Sequence, residues 1–110
     1  MIQDNIEKIE TKVQSAKGIP EETRTELIGL LSTLKSEISD LSRTHVEDAV
    51  SIAGFTGAST HEATRESVKP ELVKVAVQGL SSSVEGFETS HPVLVQIVNR
   101  IATILSNMGI

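Results

Sequence analysis

Three histidines, His45, His61 and His91, and the carboxylates beside them are the residues of this 110-residue chain best suited to chemistry. Imidazole is the commonest metal ligand, and it titrates nearest to neutral pH. His61-Glu62 opens like the H-E-x-x-H motif of zinc proteases, but Arg65 stands where the second histidine would be. Glu88-Thr89-Ser90-His91 has the E-x-x-H spacing of di-iron bundles. Those centres need the motif twice, and here it occurs once, just ahead of Pro92. His45 lies near Glu47 and Asp48, a set that could share a metal across a dimer, although nothing in the spacing requires it. The chain has no cysteine, which excludes disulfides, thiolate metal sites and cysteine nucleophiles. Gly54 and Gly57 are not followed by the Lys-Ser/Thr that grips a nucleotide's phosphates. Each histidine reads first as a cap or a surface residue. No residue is assigned a catalytic, cofactor-binding or metal-binding role, and no cofactor is expected.

The elements that would position these side chains are helices. Ile2, Ile6, Ile9, Val13 and Ala16 step by four and three and form a heptad seam, so a helix is expected over 2–17. Lys17 and Gly18 supply its stop. A second helix is expected over 20–43, with Glu21 and Glu22 complementing the dipole of its first turn. Its seam is Leu27, Leu31, Leu34, Ile38 and Leu41. The short Gly18-Ile19 link makes the first two helices antiparallel neighbours.

After Leu41 the apolar register changes to Val46, Ala49, Val50 and Ala53, and Thr44 to Glu47 fits a capping box. Either a new helix starts there or the second continues to Ala53. A rod from Pro20 to Ala53 would be roughly 50 Å long at ~1.5 Å per residue. Such a rod would overhang the last helix and favour self-association. Gly54 to Ser59 reads as a loop or hinge. The whole span 54–69 is expected as loop or short helix, with a second capping-box pattern at Ser59 to Glu62.

A third long helix is expected over 70–88, with a seam of Val73, Val77, Leu80, Val84 and Phe87. Beside the seam runs a small-residue stripe, Ala76, Gly79, Ser83 and Gly86. Glycine costs about 1 kcal/mol against alanine in a helix, so the stripe implies close approach of another helix backbone. The last helix, over 92–108, is the most apolar stretch and is expected to be the one the others pack around. Pro92 suits its first turn, with Ser90 the better N-cap, ahead of His91. Gly109 is expected in the left-handed position, with Ile110 folding back. The stretch is too short and too regularly striped to be a membrane span, which needs ~20 apolar residues.

The totals narrow the function classes. The net charge is −5, with six basic against ten acidic residues over 1–55 and four against five over 56–110. Scattered cations and only two aromatic residues, Phe55 and Phe87, argue against nucleic-acid binding. The apolar helices lack the basic polar face that favours anionic lipid. The N-terminus alternates isoleucine with charge and shows no signal segment, so a cytoplasmic protein is expected.

From Lys69 onward the chain resembles the bacterial domain of unknown function 4404 family. The resemblance is carried by Phe87-Glu88, Ser90-His91-Pro92 and Leu94, then Asn99-Arg100-Ile101 and Leu105 to Ile110. It implies a small helical protein without an assigned activity.

The expected fold is all-α, an antiparallel bundle of two helical hairpins, 2–43 and 70–108, with coiled-coil-like seams. A small aliphatic core is marginal alone, so a homodimer is expected. The expected function is that of a noncatalytic interaction or scaffolding module that self-associates, with any further protein partner unidentified. The alternative is a metal-dependent enzyme or sensor using His45, His61, His91 and nearby acids.

Overall fold

The computed structural model describes residues 2–109, with side chains over 4–109. The expected seam position Ile2 and the fold-back of Ile110 lie outside the described side chains. Five helices follow one another: α1 (Ile2–Ser15), α2 (Glu21–Leu41), α3 (Val46–Thr64), α4 (Pro70–Ser83) and α5 (Pro92–Met108). No strand occurs among the described residues, so the fold is all-α as expected.

The first two seams are buried as their spacing requires. Ile6 and Val13 of α1 are inaccessible, as are Leu27, Leu31, Leu34, Ile38 and Leu41 of α2. Gly18 ends the α1 segment at φ +81°, in the left-handed region where a Cβ is strained. The chain turns at Ser42 to Thr44, and α2 does not continue to Ala53. The long overhanging rod is therefore absent, and the longest dimension of the fold is 37 Å.

The segment expected as loop or short helix instead forms most of α3. Gly54 to Ser59 lies in its middle, and no helix starts at Ser59. Tertiary burial overrides weak local propensity here. Ala49, Ile52, Ala53, Thr56, Ser59, Thr60 and Ala63 form one buried face. Its hydroxyls stay inside by bonding their own helix: Thr56 Oγ1 donates to the Ile52 carbonyl at 2.7 Å and Thr60 Oγ1 to the Thr56 carbonyl at 2.9 Å. The small residues make α3 thin, and neighbours come close. Ile9 of α1 lies 3.6 Å from where a Cβ of Gly57 would stand.

This thin helix, and not α5, is the one that touches all four others. Among the described residues α5 packs on α2, α3 and α4 and makes no contact of note with α1. The apolar composition of α5 marked it as buried, but centrality follows from position and slenderness as well.

Ser59 is the exception in the hydroxyl ladder. Its Oγ is buried without a hydrogen-bond partner, and a buried unsatisfied polar group costs about 1–3 kcal/mol. Ser59→Ala removes that cost and improves helix propensity. We expect the unfolding free energy to rise by about 1 kcal/mol in urea denaturation.

Helix α4 stops at Ser83, short of the expected Glu88, because Gly86 turns the chain at φ +97° and its N–H is taken by the Glu88 carboxylate at 2.9 Å. Gly86 is thus a turn residue, not part of a packing stripe. Gly79 is a close-approach site, but a side chain approaches it and not a helix backbone. A Cβ there would lie 2.3 Å from the Phe55 ring. Gly79→Leu must displace Phe55 and is expected to lower the melting temperature. Adding Phe55→Ala should remove part of that loss, which a double-mutant cycle measures.

Gly109 follows the same logic. Its φ is −82°, so the expected left-handed cap is not what demands glycine. The reason is Val73 of α4, whose methyl would sit 2.8 Å from an added Cβ.

Candidate functional site

The ends of α2 and α4 lead into two matching turns, and each delivers a histidine to the N-cap of the next helix. His45 caps α3 at φ −135°, ψ 67°, and His91 caps α5 at φ −137°, ψ 64°. The expected caps Thr44 and Ser90 each stand one residue earlier. The N–H of His45 bonds the Leu41 carbonyl at 2.8 Å, and the N–H of His91 bonds the Phe87 carbonyl, also at 2.8 Å. Each imidazole is held at Nδ1 by the hydroxyl before it. Thr44 Oγ1 is 2.7 Å from His45 Nδ1, and Ser90 Oγ is 3.0 Å from His91 Nδ1. Neither side chain makes a cap hydrogen bond.

The two rings meet around Phe87. Ring centroids are 5.4 Å apart for His45–Phe87, 5.5 Å for Phe87–His91 and 6.2 Å for His45–His91, all edge-to-face. Such contacts suit the quadrupole of the phenyl ring. With Nδ1 tied to a hydroxyl, Nε2 is the nitrogen left for another partner, the arrangement by which outer-shell groups orient metal-binding imidazoles.

The third histidine is elsewhere. His61 lies near the far end of α3, about 24 Å from His45 at ~1.5 Å per residue. Its Nδ1 accepts a hydrogen bond from Lys12 Nζ at 3.0 Å. The acids considered as co-ligands are not gathered either. Glu88 is turned to the Gly86 N–H, and Glu62 holds Arg65 at 3.0 Å. Among the described residues no three His, Asp or Glu side chains come together in a way that could hold a metal ion.

A cleft of about 490 Å³ opens where the α1–α2 link meets the C-terminal ends of α3 and α5. Lys17, Arg65 and Arg100 line it beside Ile19, Ile104 and Met108. Its charges are largely spent on acids: Glu62 takes Arg65, and Glu26 takes Arg100 in two bonds of 2.7 and 3.0 Å that tie α2 to α5.

The Arg100 hydrogen bonds hold the Glu26 carboxyl below its ordinary value; desolvation opposes them, and the Arg100 charge adds a smaller lowering. A depressed folded-state pKa contributes stability above the unfolded pKa, and the contribution is lost as pH falls through the folded value. Both side chains are about half exposed, so the effect on stability is small. Arg100→Gln should return the Glu26 titration upward into the ordinary range, which carboxyl NMR would read directly.

Among the described residues no helix is long and apolar enough to cross a membrane. Comparison with curated proteins and with solved structures finds no match. The family model for the domain of unknown function (DUF4404) matches residues 2–110, a span that takes in α3 as well as the C-terminal residues, and the chain belongs to that family.

Proposed function

We propose that this protein is a noncatalytic interaction module that works by pairing with a second copy of itself. The observation that carries this is where its large apolar side chains remain exposed. Val46, Val50 and Phe55 lie on α3, Leu72 and Val75 on α4, and Val68 in the link between them. Val93 is the remaining large apolar side chain exposed among the described residues. Val46, Val50 and Val75 are more than half accessible although the core beneath them is closed. Large apolar side chains left exposed on two neighbouring helices and the link between them support an interaction surface. Most soluble self-assemblies are two-fold dimers, in which one patch meets itself. Sedimentation equilibrium tests the reading: a concentration-dependent dimer is expected, and a monomer at every concentration would overturn it.

A second reading is favoured by one observation, the approach of His45 to His91. In it the chain is a metal-responsive sensor or enzyme, with those two imidazoles as the protein ligands and water completing the coordination. Zn²⁺ or Ni²⁺ added to the protein should then raise its melting temperature, and His91→Ala should abolish the rise. An equal response in the variant would remove this reading.

A further inference from the structure

We infer that the pairing is two-fold about Gly54, with α3 of each copy laid antiparallel along the other. This rests on the self-pairing reading above and gives it a geometry. The outward stripe of α3 is Glu47, Val50, Ser51, Gly54, Ala58 and His61, and every one of these residues is exposed. Positions 47, 54 and 61 stand two turns apart, and 50 and 58 stand one turn either side of 54, so they share one face. No residue from 49 to 60 is charged. The acid at the start of the stripe is Glu47. At its end stands His61, with the Lys12 ammonium 3.0 Å from its ring.

That order of charge selects one arrangement. An antiparallel two-fold through Gly54 sets Glu47 of each copy opposite His61 and Lys12 of the other, and Val50 opposite Ala58. Both electrostatic contacts are then attractive, and the two helix dipoles oppose. A parallel pairing would set Glu47 on Glu47 and the Lys12 ammonium against that of the other copy, with both ends repelling. At the centre, a Cβ on Gly54 would meet nothing within 4 Å, so the monomer has no use for a glycine there. A helix interior disfavours glycine by about 1 kcal/mol against alanine. Close approach of a second α3 backbone accounts for it. The pairing also covers Val50, which is 53% accessible in the single chain.

Analytical ultracentrifugation at low salt, from about 1 to about 500 µM, spans the weak end of specific interfaces. The full chain should dimerise in this range. Glu47→Lys alone, and Lys12→Glu with His61→Glu, should each weaken the dimer by about tenfold or more, since like charges then face each other at both ends. Mixing these two proteins should restore a dimer, because both contacts become attractive again. Gly54→Leu should also dissociate the dimer, with a helical circular-dichroism spectrum showing that the chain still folds. Gly54→Cys in this cysteine-free chain should oxidise to a covalent dimer, as a residue on the two-fold axis must.

A wild-type dimer indifferent to Glu47→Lys and Gly54→Leu would overturn the α3 seam and leave self-pairing standing. Failure of the mixture to re-form a dimer would overturn the antiparallel arrangement. A wild-type monomer throughout would remove both.

Discussion

Replacing Arg24 with methionine should lower the unfolding free energy by about 2–3 kcal/mol, a loss comparable to opening a cavity in the core. The reason is the end of α1. The last four carbonyls of a helix lack partners within it. In α1 the Lys12 carbonyl is used by the Ala16 N–H at 2.9 Å. Those of Val13 and Gln14 are taken by Nη1 of Arg24, which arrives from the first turn of α2, and Nη2 donates to the Ile19 carbonyl at 3.3 Å. One guanidinium therefore closes the C-terminus of α1 and fixes the link that returns the chain along α2.

The Arg24 side chain is only 14% exposed, so solvent is poorly placed to replace it. Methionine keeps the stem's packing and removes the donors, which isolates the hydrogen bonds. Arg24→Lys should recover less than half of the loss, because one ammonium cannot span three carbonyls as the planar fork does. Glu21→Gln is the control. That carboxylate is 83% exposed and bonds Arg24 from within the same turn, so its removal should cost less than about 0.5 kcal/mol. Urea titrations of the three variants decide the matter. If Arg24→Met stayed within ~0.5 kcal/mol of the parent, the range of ordinary surface changes, the capping role would be wrong.

Arg24 also shows where a sequence stops being readable. At i,i+3 from Glu21 it looks like half of a surface ion pair, and nothing local reveals the carbonyls eleven and ten residues back. What could be read was the periodic burial of large side chains. The five α2 seam residues are all leucine or isoleucine at heptad spacing, and all are inaccessible. Helix ends set by backbone strain were legible at Gly18, whose φ is +81°. They were misjudged at Gly109, where the constraint is a valine from another helix.

The histidine cluster falls between these cases. Thr44-His45 and Ser90-His91 are each a hydroxyl residue and a histidine directly before a helix, a repeat visible in the sequence. Their meeting around Phe87 is not visible there, because it depends on how the end of α2 comes to lie beside the end of α4. His61 also follows a hydroxyl residue, but Thr60 gives its hydroxyl to the Thr56 carbonyl inside α3, and His61 stands with Lys12 at the other end of that helix.

The largest misreading, the glycine-rich stretch 54–59, leads to the other large effect. Gly54→Pro should cost about 3 kcal/mol or more, a large share of the ~5–15 kcal/mol that holds a domain together. The side chain is not the difficulty, since nothing lies within 4 Å of a Cβ at this position. The damage is to the backbone. Gly54 is interior to a helix running from Val46 to Thr64. Proline there deletes the bond to the carbonyl four residues before and pushes its ring against that carbonyl. The resulting kink would separate Ala49 and Ile52 from Thr60 and Ala63 on the buried face. Because α3 touches every other helix, the mismatch cannot be confined to one contact.

Gly54→Ala supplies the opposite sign. Measured on dilute protein, below the range of self-pairing, it should stabilise the chain by about 1 kcal/mol through helix propensity alone. A hinge would reverse both expectations. There proline would be neutral or stabilise by about 0.4–1 kcal/mol through the unfolded state, and alanine would gain nothing from propensity. The pair of substitutions therefore asks one question of the backbone at position 54. A proline variant as stable as the parent would mean that the centre of α3 is not the helix on which the other four are packed.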